Sequence, residues 1–381
     1  MTCNSPGPSR RPRLLILTPD FPPAPGGIQQ VVHRLAAGMD AFRTLVVALD
    51  DRDAAAFDDS SGLAVRRVRA GGRRGRPIAP RAARMAALNA AGAGEALRFR
   101  PQLTLSAHVV TSPAATLSRR LLGARTCQYF YAEEIGARGR LAAFAAREAD
   151  LSIAISAYTA ELIAGTGATP RRLQLIPPGV DIPVDATPRR ADRPTILTIA
   201  RLEERYKGHD VMLQALPLVL AKVPDAHWLV IGEGSLRPGL EELARAHGVS
   251  HAVSFLGAVS DGQRDEWLRR ADLVAMPSRL PGGHLAGEGF GIAYLEAGAF
   301  GKPALGGSVG GAREAIVDGE TGLLVDPSDP VEVAEATTRL LLDHELASKL
   351  GRAGAARARD LAWPAIALRV QAALLELLDS P

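Results

Sequence analysis

Two carboxylates flank a glycine-rich turn in the stretch GEGFGIAYLEAGAFGKP, residues 287–303. Glu288 lies before an apolar, helix-like run, and Glu296 lies within that run, which Gly301 and Pro303 are expected to end. Glycines at the start of a helix leave backbone N–H groups open to an anion such as phosphate. Carboxylates, in contrast, accept hydrogen bonds from sugar hydroxyls. A ligand with phosphate in the middle and a sugar at each end, which is a nucleotide sugar, suits this arrangement.

Cations able to neutralise a diphosphate occur earlier in the chain, in IARLEERYKGHD (199–210). Arg201 follows an apolar, strand-like run and Lys207 precedes a helical one, and ligands of open α/β sheets bind at the carboxyl ends of strands. Solvated surface charges would look the same, so both interpretations stay open. A second strand-to-helix turn, VIGEGSLRPGLE, adds Gly232 and Gly234, although G-x-G is a weak signal by itself.

Short apolar runs alternate with helical stretches along the chain, and the series occurs twice. RLLILTP and TLVVALD begin the first series, and TILTIAR and AHWLVIGEG begin the second. Continuous apolar runs of this length are typical of parallel strands buried on both faces. The predicted fold class is α/β, with two Rossmann-like, doubly wound domains that face each other across a cleft. The predicted N-terminal, acceptor-binding domain covers residues 1–183, with 1–12 disordered, an aperiodic linker covers 184–193, and a nucleotide-sugar-binding domain covers 194–360.

The length and composition agree with this organisation. A chain of 381 residues exceeds what one hydrophobic core usually supports. No apolar run approaches the roughly 18 residues that span a bilayer. The run Leu14–Leu17 soon meets Pro19, short of the roughly 7–15 residues of a signal-peptide core. Cys3 and Cys127 lie far apart, so a disulfide framework is not expected. The sequence therefore predicts a cytoplasmic protein.

Charge is distributed unevenly along the chain. Residues 1–183 carry a net charge of +10 and residues 184–381 a net charge of −6. The densest patch, RRVRAGGRRGRPIAPRAAR (Arg66–Arg84), has eight arginines and no acidic residue. One interpretation is a solvated loop. The other is a peripheral contact with anionic lipid headgroups at the inner face of the membrane, or with a phosphorylated acceptor. Nucleic acid is not expected as a partner, because no aromatic interleaving or nucleic-acid module accompanies the arginines.

Taken together, these stretches resemble the retaining glycosyltransferases of family 4 (glycosyl transferases group 1), which have the GT-B fold. DFPPAPGGIQQVVHRLAAGM resembles the N-terminal glycine loop of that family and the helix after it. ARLEERYKGHDVMLQAL and GEGSLRPGLE resemble its donor domain, and EGFGIAYLEAGAFGKPAL matches its E-x7-E element. LAWPAIALRV resembles the family's terminal helix. The resemblance thus implies that residues 361–381 cross back to pack on the first domain.

The resemblance also implies roles for individual residues. Arg201 and Lys207 would bind the diphosphate of the donor and stabilise the leaving group. Glu288 would contact the donor sugar, and Glu296 would hold the ribose hydroxyls. The other donor-binding positions are glycines and backbone amides that approach the diphosphate closely, namely Gly26, Gly27, Gly232, Gly234, Phe290, Gly291 and Ile292.

Candidate acceptor residues lie in the first half of the chain. His108, in LTLSAHVVTS, falls where the family has a histidine that contacts sugar hydroxyls, although a structural histidine is the alternative. YFYAEEIG departs from the family, because Tyr131 stands where relatives often have the histidine of a His-Gly-x-Glu pattern. Glu134 matches the glutamate of that pattern. Tyr131 and Glu134 are therefore the predicted acceptor residues.

The implied reaction is the retaining transfer of a hexose from a nucleoside-diphosphate sugar to a hydroxyl of a natural product, a lipid-linked acceptor or a polysaccharide. Arginine and lysine on the departing diphosphate would lower the barrier electrostatically, and the departing phosphate would help to take the acceptor proton. No cofactor and no metal ion is expected. The Asp-x-Asp of DDRD (50–53) is better explained as a charged loop. The donor base, uridine or guanosine, stays open.

Other function classes remain as alternatives. A sugar-nucleotide epimerase of the same fold would need a compact set of carboxylates for proton abstraction, which the sequence lacks. A dehydrogenase is disfavoured, because neither glycine turn is a full G-x-G-x-x-G. A non-catalytic membrane- or anion-binding adaptor would use Arg66–Arg84 and would tolerate the loss of Lys207, whereas an enzyme would not.

Overall fold

The computed structural model describes residues 11–69, 80–189, 191–280, 282 and 287–380. Residues 1–10 of the predicted disordered leader and residues 70–79 of the arginine patch lie outside this description. The chain divides into two compact units. The first comprises Met1–Ile155, Ala160–Ile176 and Trp363–Pro381, and the second comprises Ser156–Thr159 and Pro177–Ala362.

Seven parallel strands form the sheet of the first unit, in the order β3-β2-β1-β4-β5-β6-β7. Their bounds are β1 (Arg13–Thr18), β2 (Arg43–Leu49), β3 (Val65–Val68), β4 (Leu103–Ser106), β5 (Arg125–Phe130), β6 (Leu151–Ala154) and β7 (Leu173–Leu175). The helices along this part of the chain are α1 (Gly27–Ala37), α2 (Ala54–Ser61), α3 (Arg81–Phe99), α4 (Ser112–Leu122), α5 (Ala132–Ala137), α6 (Gly139–Glu148) and α7 (Ala157–Gly165). The central strand β1 is buried along Leu14–Leu17, as its apolar run predicts.

Six parallel strands form the sheet of the second unit, in the order β10-β9-β8-β11-β12-β13. Their bounds are β8 (Thr195–Ile199), β9 (His227–Ile231), β10 (Val253–Gly257), β11 (Leu273–Met276), β12 (Ala304–Gly307) and β13 (Gly322–Val325). The helices are α8 (His209–Lys222), α9 (Arg237–Ala246), α10 (Asp261–Arg270), α11 (Ile292–Ala299), α12 (Ala312–Ala315), α13 (Pro330–Leu342) and α14 (His344–Asp360). The second unit thus repeats the architecture of the first.

Both sheets change the direction of their strand order at one place. In the first unit the chain builds outwards from β1 to β3 and then returns to β4 on the other side of β1. In the second unit β8 and β11 are the equivalent neighbours. Ligands of doubly wound sheets bind outside the carboxyl ends of the two strands at such a switch point. The residues after β1, β4, β8 and β11 are therefore where chemistry is expected.

The last helix, α15 (Trp363–Asp379), belongs to the first unit. It packs against α1, where a Cβ on Gly38 would lie 2.4 Å from the Cβ of Ala367. The side chain of Gln371 accepts a hydrogen bond of 2.8 Å from the backbone N–H of Ala41. Helix α15 therefore packs with the first unit, although it follows the second unit in the sequence. Over the described residues, none of the helices combines the length and apolar composition needed to cross a membrane.

The arginine patch Arg66–Arg84 does not form a single solvated loop, because its ends lie in regular elements. Arg66 and Arg67 belong to β3, and α3 begins at Arg81. The side chain of Arg67 is only 10% exposed and pairs with Asp58 at 2.7 Å. The loop interpretation is therefore wrong for these positions. Arg67 packs into the unit because an ion pair and the ring of Phe21, 5.2 Å from its guanidinium carbon, compensate for its burial.

Helices α11 and α14 approach closely through glycine. A Cβ on Gly298 would lie 2.7 Å from the carbonyl oxygen of Gly354, and one on Gly351 would lie 2.0 Å from the carbonyl oxygen of Gly301. These separations are shorter than any real Cβ contact, so the two helices can pack at this distance only without side chains. The position of α11, and of the turn before it, depends on this contact.

We expect Gly298→Ala to lower the thermal unfolding midpoint of the second unit. Overpacking of this kind costs typically 1–3 kcal/mol, because the new methyl group forces the two helix backbones apart. Trp228 and Trp267 lie in the second unit and Trp363 lies in the first, so intrinsic fluorescence measured in a Trp363→Phe background reports the unfolding of the second unit. Gly239→Ala in α9 is the control, since its Cβ would meet open space and alanine favours the helix. Equal midpoints for the two variants would contradict the proposed close contact.

Candidate active site

A buried ion pair joins two of the predicted site residues in the second unit. Nζ of Lys207, in a 3-10 turn after β8, lies 2.5 Å from Oε2 of Glu288 in the loop between β11 and α11. Their side chains are 14% and 12% exposed. Burial by itself would lower the pKa of Lys207, but the Glu288 carboxylate and the Tyr206 ring raise it above its usual value. Lys207 therefore keeps its positive charge at the carboxyl ends of β8 and β11.

Arg201 lies two residues after the end of β8, on the same connection between β8 and α8 as Lys207. Its side chain is 58% exposed, and Nη2 lies 2.8 Å from Oε1 of Glu204. Because Arg201 lies at the switch point and remains open to solvent, its side chain can reach an anionic ligand. Lys207 and Arg201 thus supply one enclosed cation and one accessible cation on the same strand-to-helix connection.

The turn before α11 presents unused backbone donors. Within the described part of the chain, the N–H groups of Phe290 and Gly291 have no hydrogen-bond acceptor. Gly291 has φ 97°, and a Cβ there would lie 2.4 Å from the ring of Tyr294. Glycine is therefore required by the backbone itself. The side chain of Phe290 is buried, so its contribution to a ligand site comes from its amide.

The same turn is held in place by a segment from elsewhere in the sequence. The hydroxyl of Ser156 donates to the carbonyl of Gly289 at 2.7 Å, and the Tyr158 hydroxyl accepts from the N–H of Gly287 at 3.1 Å. The carboxylate of Glu314 accepts from the N–H groups of Ala157 and Tyr158. Sequence analysis missed these supporting residues, because no local pattern connects residues 156–158 with residues 287–289.

Glu296 lies in the second turn of α11, as predicted, but it does not join the Lys207–Glu288 pair. Its Oε1 lies 3.7 Å from Nη1 of Arg264. Burial raises the pKa of Glu296, and Arg264 opposes that shift. The two glutamates of the E-x7-E element therefore have different cationic partners, which leaves Glu296 free to serve a different part of a ligand.

Gly232 and Gly234 have a structural reason for being glycine that does not involve a ligand. A Cβ on Gly232, which has φ 138°, would lie 1.9 Å from the carbonyl oxygen of Ala200. A Cβ on Gly234 would lie 2.3 Å from the carbonyl of Leu202. These glycines let the chain after β9 pass against the chain after β8. Their predicted contact with a diphosphate stays a prediction.

In the first unit, the switch point carries a second cluster. Nδ1 of His108, which follows β4, lies 2.9 Å from Oε2 of Glu134. Burial lowers the pKa of His108, but Glu134 and then Asp20 outweigh it, so the pKa is raised overall. The Glu134 carboxylate also accepts from the N–H groups of Val109 at 2.8 Å and Tyr131 at 3.1 Å. Glu134 is thus fully engaged with groups that fix the position of His108.

Tyr131 does not present its hydroxyl to a ligand in this structure. Its side chain is 5% exposed, and its ring packs against that of Tyr129 with the centroids 5.3 Å apart. The buried hydroxyl oxygen has no hydrogen-bond partner among the described residues. The predicted acceptor roles of Tyr131 and Glu134 stay predictions, and the contacts of Glu134 favour action through His108.

Asp20, directly after β1, is a member of this cluster that sequence analysis missed. Burial raises the pKa of its carboxyl group, and His108 opposes that shift. Oδ1 accepts a hydrogen bond of 3.1 Å from the side chain of Gln29. The signal that could have found it is its place, since DFPP begins where the first strand ends at the switch point.

The two glycines after β1 differ in their structural roles. Gly26 has φ 150°, and a Cβ there would lie 2.3 Å from the side-chain oxygen of Gln29. Gly27 begins α1, and a Cβ there would meet nothing within 4 Å. Only Gly26 is therefore required by the local backbone, and the ligand contacts predicted for both glycines stay predictions.

A cavity of about 470 Å³ opens beside this cluster and is lined wholly by residues of the first unit. Its walls come from the ends of β1, β2 and β4, from the first turn of α3 and from the end of α5. The lining residues are Pro19, Asp20, Leu49, Arg81, Arg84, Met85, His108, Val110 and Arg138.

In the described ranges, no three His, Cys, Asp or Glu side chains are grouped so that they could hold a metal ion.

Comparison with known proteins shows which family combines these features. Residues 25–183 match the model of Glycosyltransferase Family 4, and residues 184–357 match that of Glycosyl transferases group 1. Among solved structures, Anabaena Alr3699/HepE in complex with UDP and glucose has a TM-score of 0.80 at 19% identity and covers 96% of this chain and 100% of that one. Sucrose-phosphate synthase from Thermosynechococcus elongatus has a TM-score of 0.83 at 21% identity, over 98% and 100% of the two chains. The predicted GT-B fold class is confirmed.

The relatives that match this chain have transferase names. A GDP-mannose-dependent alpha-(1-6)-phosphatidylinositol monomannoside mannosyltransferase of Mycobacterium tuberculosis is 34% identical over 365 residues, which are 90% of this chain and 92% of that protein. A D-inositol 3-phosphate glycosyltransferase of Xylanimonas cellulosilytica is 34% identical over 223 residues, 53% of this chain and 51% of that protein. With both halves matched by glycosyltransferase models and a full-length relative at this identity, the chain is a glycosyltransferase and belongs to glycosyltransferase family 4.

Proposed function

We propose that this protein transfers mannose from GDP-mannose to a hydroxyl of a polyol acceptor, with retention of configuration and without a metal ion. The observation that carries the proposal is the buried Lys207–Glu288 pair beside the open amides of Phe290 and Gly291. The choice of donor is supported by the names of the full-length relatives from M. tuberculosis and Corynebacterium glutamicum, both GDP-mannose-dependent mannosyltransferases.

The cations of the second unit would carry the leaving group. A nucleoside diphosphate that departs from an anomeric carbon gains negative charge, and preorganised cations stabilise that charge more in the transition state than in the ground state. Lys207 is held by Glu288 and cannot swing away, whereas Arg201 is accessible and can close onto the phosphates. These two side chains neutralise the diphosphate, which is the task that a metal ion performs in other transferases.

The carboxylates would orient the sugars at the two ends of the donor. Glu288 has a second oxygen and can accept from a mannose hydroxyl while Lys207 remains bound. Glu296, paired with Arg264 rather than with Lys207, would accept from the ribose hydroxyls. Glu288 and Glu296 pair with different cations, Lys207 and Arg264. They could therefore bind the two sugars that lie on either side of the donor diphosphate.

In the first unit, His108 would bond an acceptor or sugar hydroxyl through Nε2. Its Nδ1 side is engaged by Glu134, which fixes the orientation of the ring. Retention would follow from attack on the same face of the sugar that the diphosphate leaves, with the departing phosphate taking the acceptor proton. This scheme requires neither a protein nucleophile nor a separate general base.

Donor binding can be tested by thermal shift with GDP-mannose, GDP, UDP-glucose and UDP. GDP-mannose at a hundredfold excess over Kd is expected to stabilise the protein by about 2.7 kcal/mol, because it binds the folded state alone. The guanosine ligands should raise the midpoint more than the uridine ligands do. A preference for uridine ligands would refute the proposed donor, and no shift with any of the four would refute the donor site.

Turnover is expected to depend on the charge of Lys207. Lys207→Met should lower kcat for mannosyl transfer by roughly 10²–10³-fold, since it removes a preorganised cation from the leaving group. The matched control is Lys222→Met, an exposed lysine at the end of α8, which should retain full activity. Circular dichroism checks that the variants fold, and Lys207→Arg should recover part of the rate. Full activity of folded Lys207→Met would overturn the assignment.

The titration of His108 is expected to depend on Glu134. Because the folded-state pKa of His108 is raised, the charged ring adds stability below its ordinary pKa of about 6.5, and this is lost as the pH rises through the raised value. Glu134→Gln should lower the pKa of His108, because burial of the ring still disfavours its charged form while the carboxylate that stabilises that form is removed. NMR titration, with His108→Gln to assign the ring, measures the change. His227, whose pKa burial and Arg193 lower, is the internal reference. An unchanged His108 pKa would contradict this pairing.

A further inference from the structure

The peptide group between Gly289 and Phe290 lies in the turn before α11. The bond is trans, so its carbonyl and its N–H point in opposite directions. The carbonyl of Gly289 accepts a hydrogen bond of 2.7 Å from the hydroxyl of Ser156, whereas the N–H of Phe290 has no acceptor among the described residues. The group that holds this carbonyl therefore also sets the direction of the open N–H.

The hydroxyl of Ser156 has a single direction available to it. A serine hydroxyl donates one hydrogen bond and accepts two. Oγ of Ser156 accepts from the N–H of Thr159 at 3.0 Å and lies 2.8 Å from the Thr159 hydroxyl. Because the one hydrogen of Ser156 is donated to Gly289, the Thr159 hydroxyl is the donor in that second contact. Both side chains are buried, so all three bonding positions of Ser156 are occupied away from solvent.

A glycine confines the same peptide group. A Cβ on Gly311 would lie 2.1 Å from the carbonyl oxygen of Gly289 and 2.7 Å from the nitrogen of Phe290. The N–H of Gly311 also donates to the carbonyl of Glu288 at 2.8 Å. The peptide group thus packs against the backbone of Gly311 while its carbonyl is held by a hydroxyl, which leaves it little freedom to rotate.

The start of α7, next to Ser156, is itself fixed within the second unit. The carboxylate of Glu314 accepts from the N–H groups of Ala157 and Tyr158, at 2.8 and 3.2 Å. A carboxylate is favourable there, because the first N–H groups of a helix have no partner within it. The guanidinium of Arg357 donates in turn to the carbonyl of Glu314. Ser156, which directly precedes α7, is therefore held at the turn.

From these contacts we infer that Ser156 is a positioning residue for the donor, which directs the N–H of Phe290 at the phosphate that carries the transferred sugar. The inference rests on the proposed function, in which Glu288 contacts that sugar. Phe290 lies two residues after Glu288, so its amide serves the phosphate on the sugar side. An N–H that is aimed before the ligand arrives stabilises the charge that develops on this phosphate without reorganisation. Ser156 acts through the peptide group and needs no contact with the donor.

Calorimetric binding of GDP and GMP tests this assignment without requiring turnover. GMP lacks the phosphate that carries the sugar, so it reports binding of the rest of the nucleotide. Ser156→Ala should weaken GDP binding roughly tenfold, as expected for the loss of a hydrogen bond to a charged group, and should leave GMP binding unchanged. Ser156→Cys, which offers only a weak S–H donor, should show the same selective loss. A purely structural role would weaken the binding of both nucleotides to the same degree.

Two further variants separate the direction of the N–H from general support of the turn. Tyr158→Phe removes the hydroxyl that accepts from the N–H of Gly287 at 3.1 Å, but it leaves the hydrogen bond of Ser156 intact. It should therefore weaken GDP binding less than Ser156→Ala does. Ser254→Ala removes a hydroxyl that lies 2.9 Å from Nε2 of His227, and it should bind both nucleotides like the unaltered protein. Circular dichroism checks that each variant folds.

Three results would overturn the inference. The first is unchanged GDP binding in folded Ser156→Ala and Ser156→Cys, the second is an equal loss for GDP and GMP, and the third is a loss in Tyr158→Phe as large as that in Ser156→Ala. Any of them, found while the unaltered protein still prefers guanosine to uridine ligands, would leave the proposed transfer of mannose intact. A preference of the unaltered protein for UDP would refute the donor instead, and UDP and UMP would then be the pair of probes that tests Ser156.

Discussion

A parallel sheet covered by helices leaves little room for polar chemistry, and this constraint determines where the functional groups of this protein lie. Its central strands are buried on both faces, as β1, β4 and β11 show, so polar side chains are tolerated mainly where these strands end. Each unit brings two strand ends together at the reversal of strand order. Asp20 and His108 meet at one reversal, and Arg201, Lys207 and Glu288 follow the strands of the other. The chemistry of both units follows from one topological rule.

The two clusters use buried charge in different ways. In the second unit, Lys207 and Glu288 neutralise each other at 2.5 Å, and the cost of burying two charges is offset by their attraction. In the first unit, the carboxylate of Glu134 lies against His108 and accepts from two backbone N–H groups, and the nearby Asp20 shares the same cavity with His108. The first arrangement holds a cation in a fixed position, and the second holds a histidine ring in a fixed orientation beside a cavity.

The fold could be predicted from the sequence because its signals are local. Alternating apolar runs and helices locate the strands, and the order of the motifs identifies the family. Sequence motifs point to Lys207, Glu288 and Glu296 as candidate site residues, because each lies within a recognisable local pattern. Asp20 and Arg138 are separated by more than a hundred residues, and only strand order brings them to one cavity, so no local pattern reveals them. For Gly232 and Gly234, a sequence pattern suggests a ligand role, but the structure gives another reason for glycine. Their sequence indicates a phosphate turn, yet the close approach of Ala200 and Leu202 already requires glycine there.

The discontinuity of the two units has a consequence for the order in which the chain can fold during synthesis. Domains usually fold as they leave the ribosome, with the N-terminal one first. Here α15 completes the first unit, so its packing against α1 waits until residues 363–379 have been translated, after the whole of the second unit. The second unit similarly needs Ser156–Thr159, which precede the rest of it. A nascent chain therefore carries an unfinished first unit throughout the synthesis of the second, and no single cut would release either unit whole.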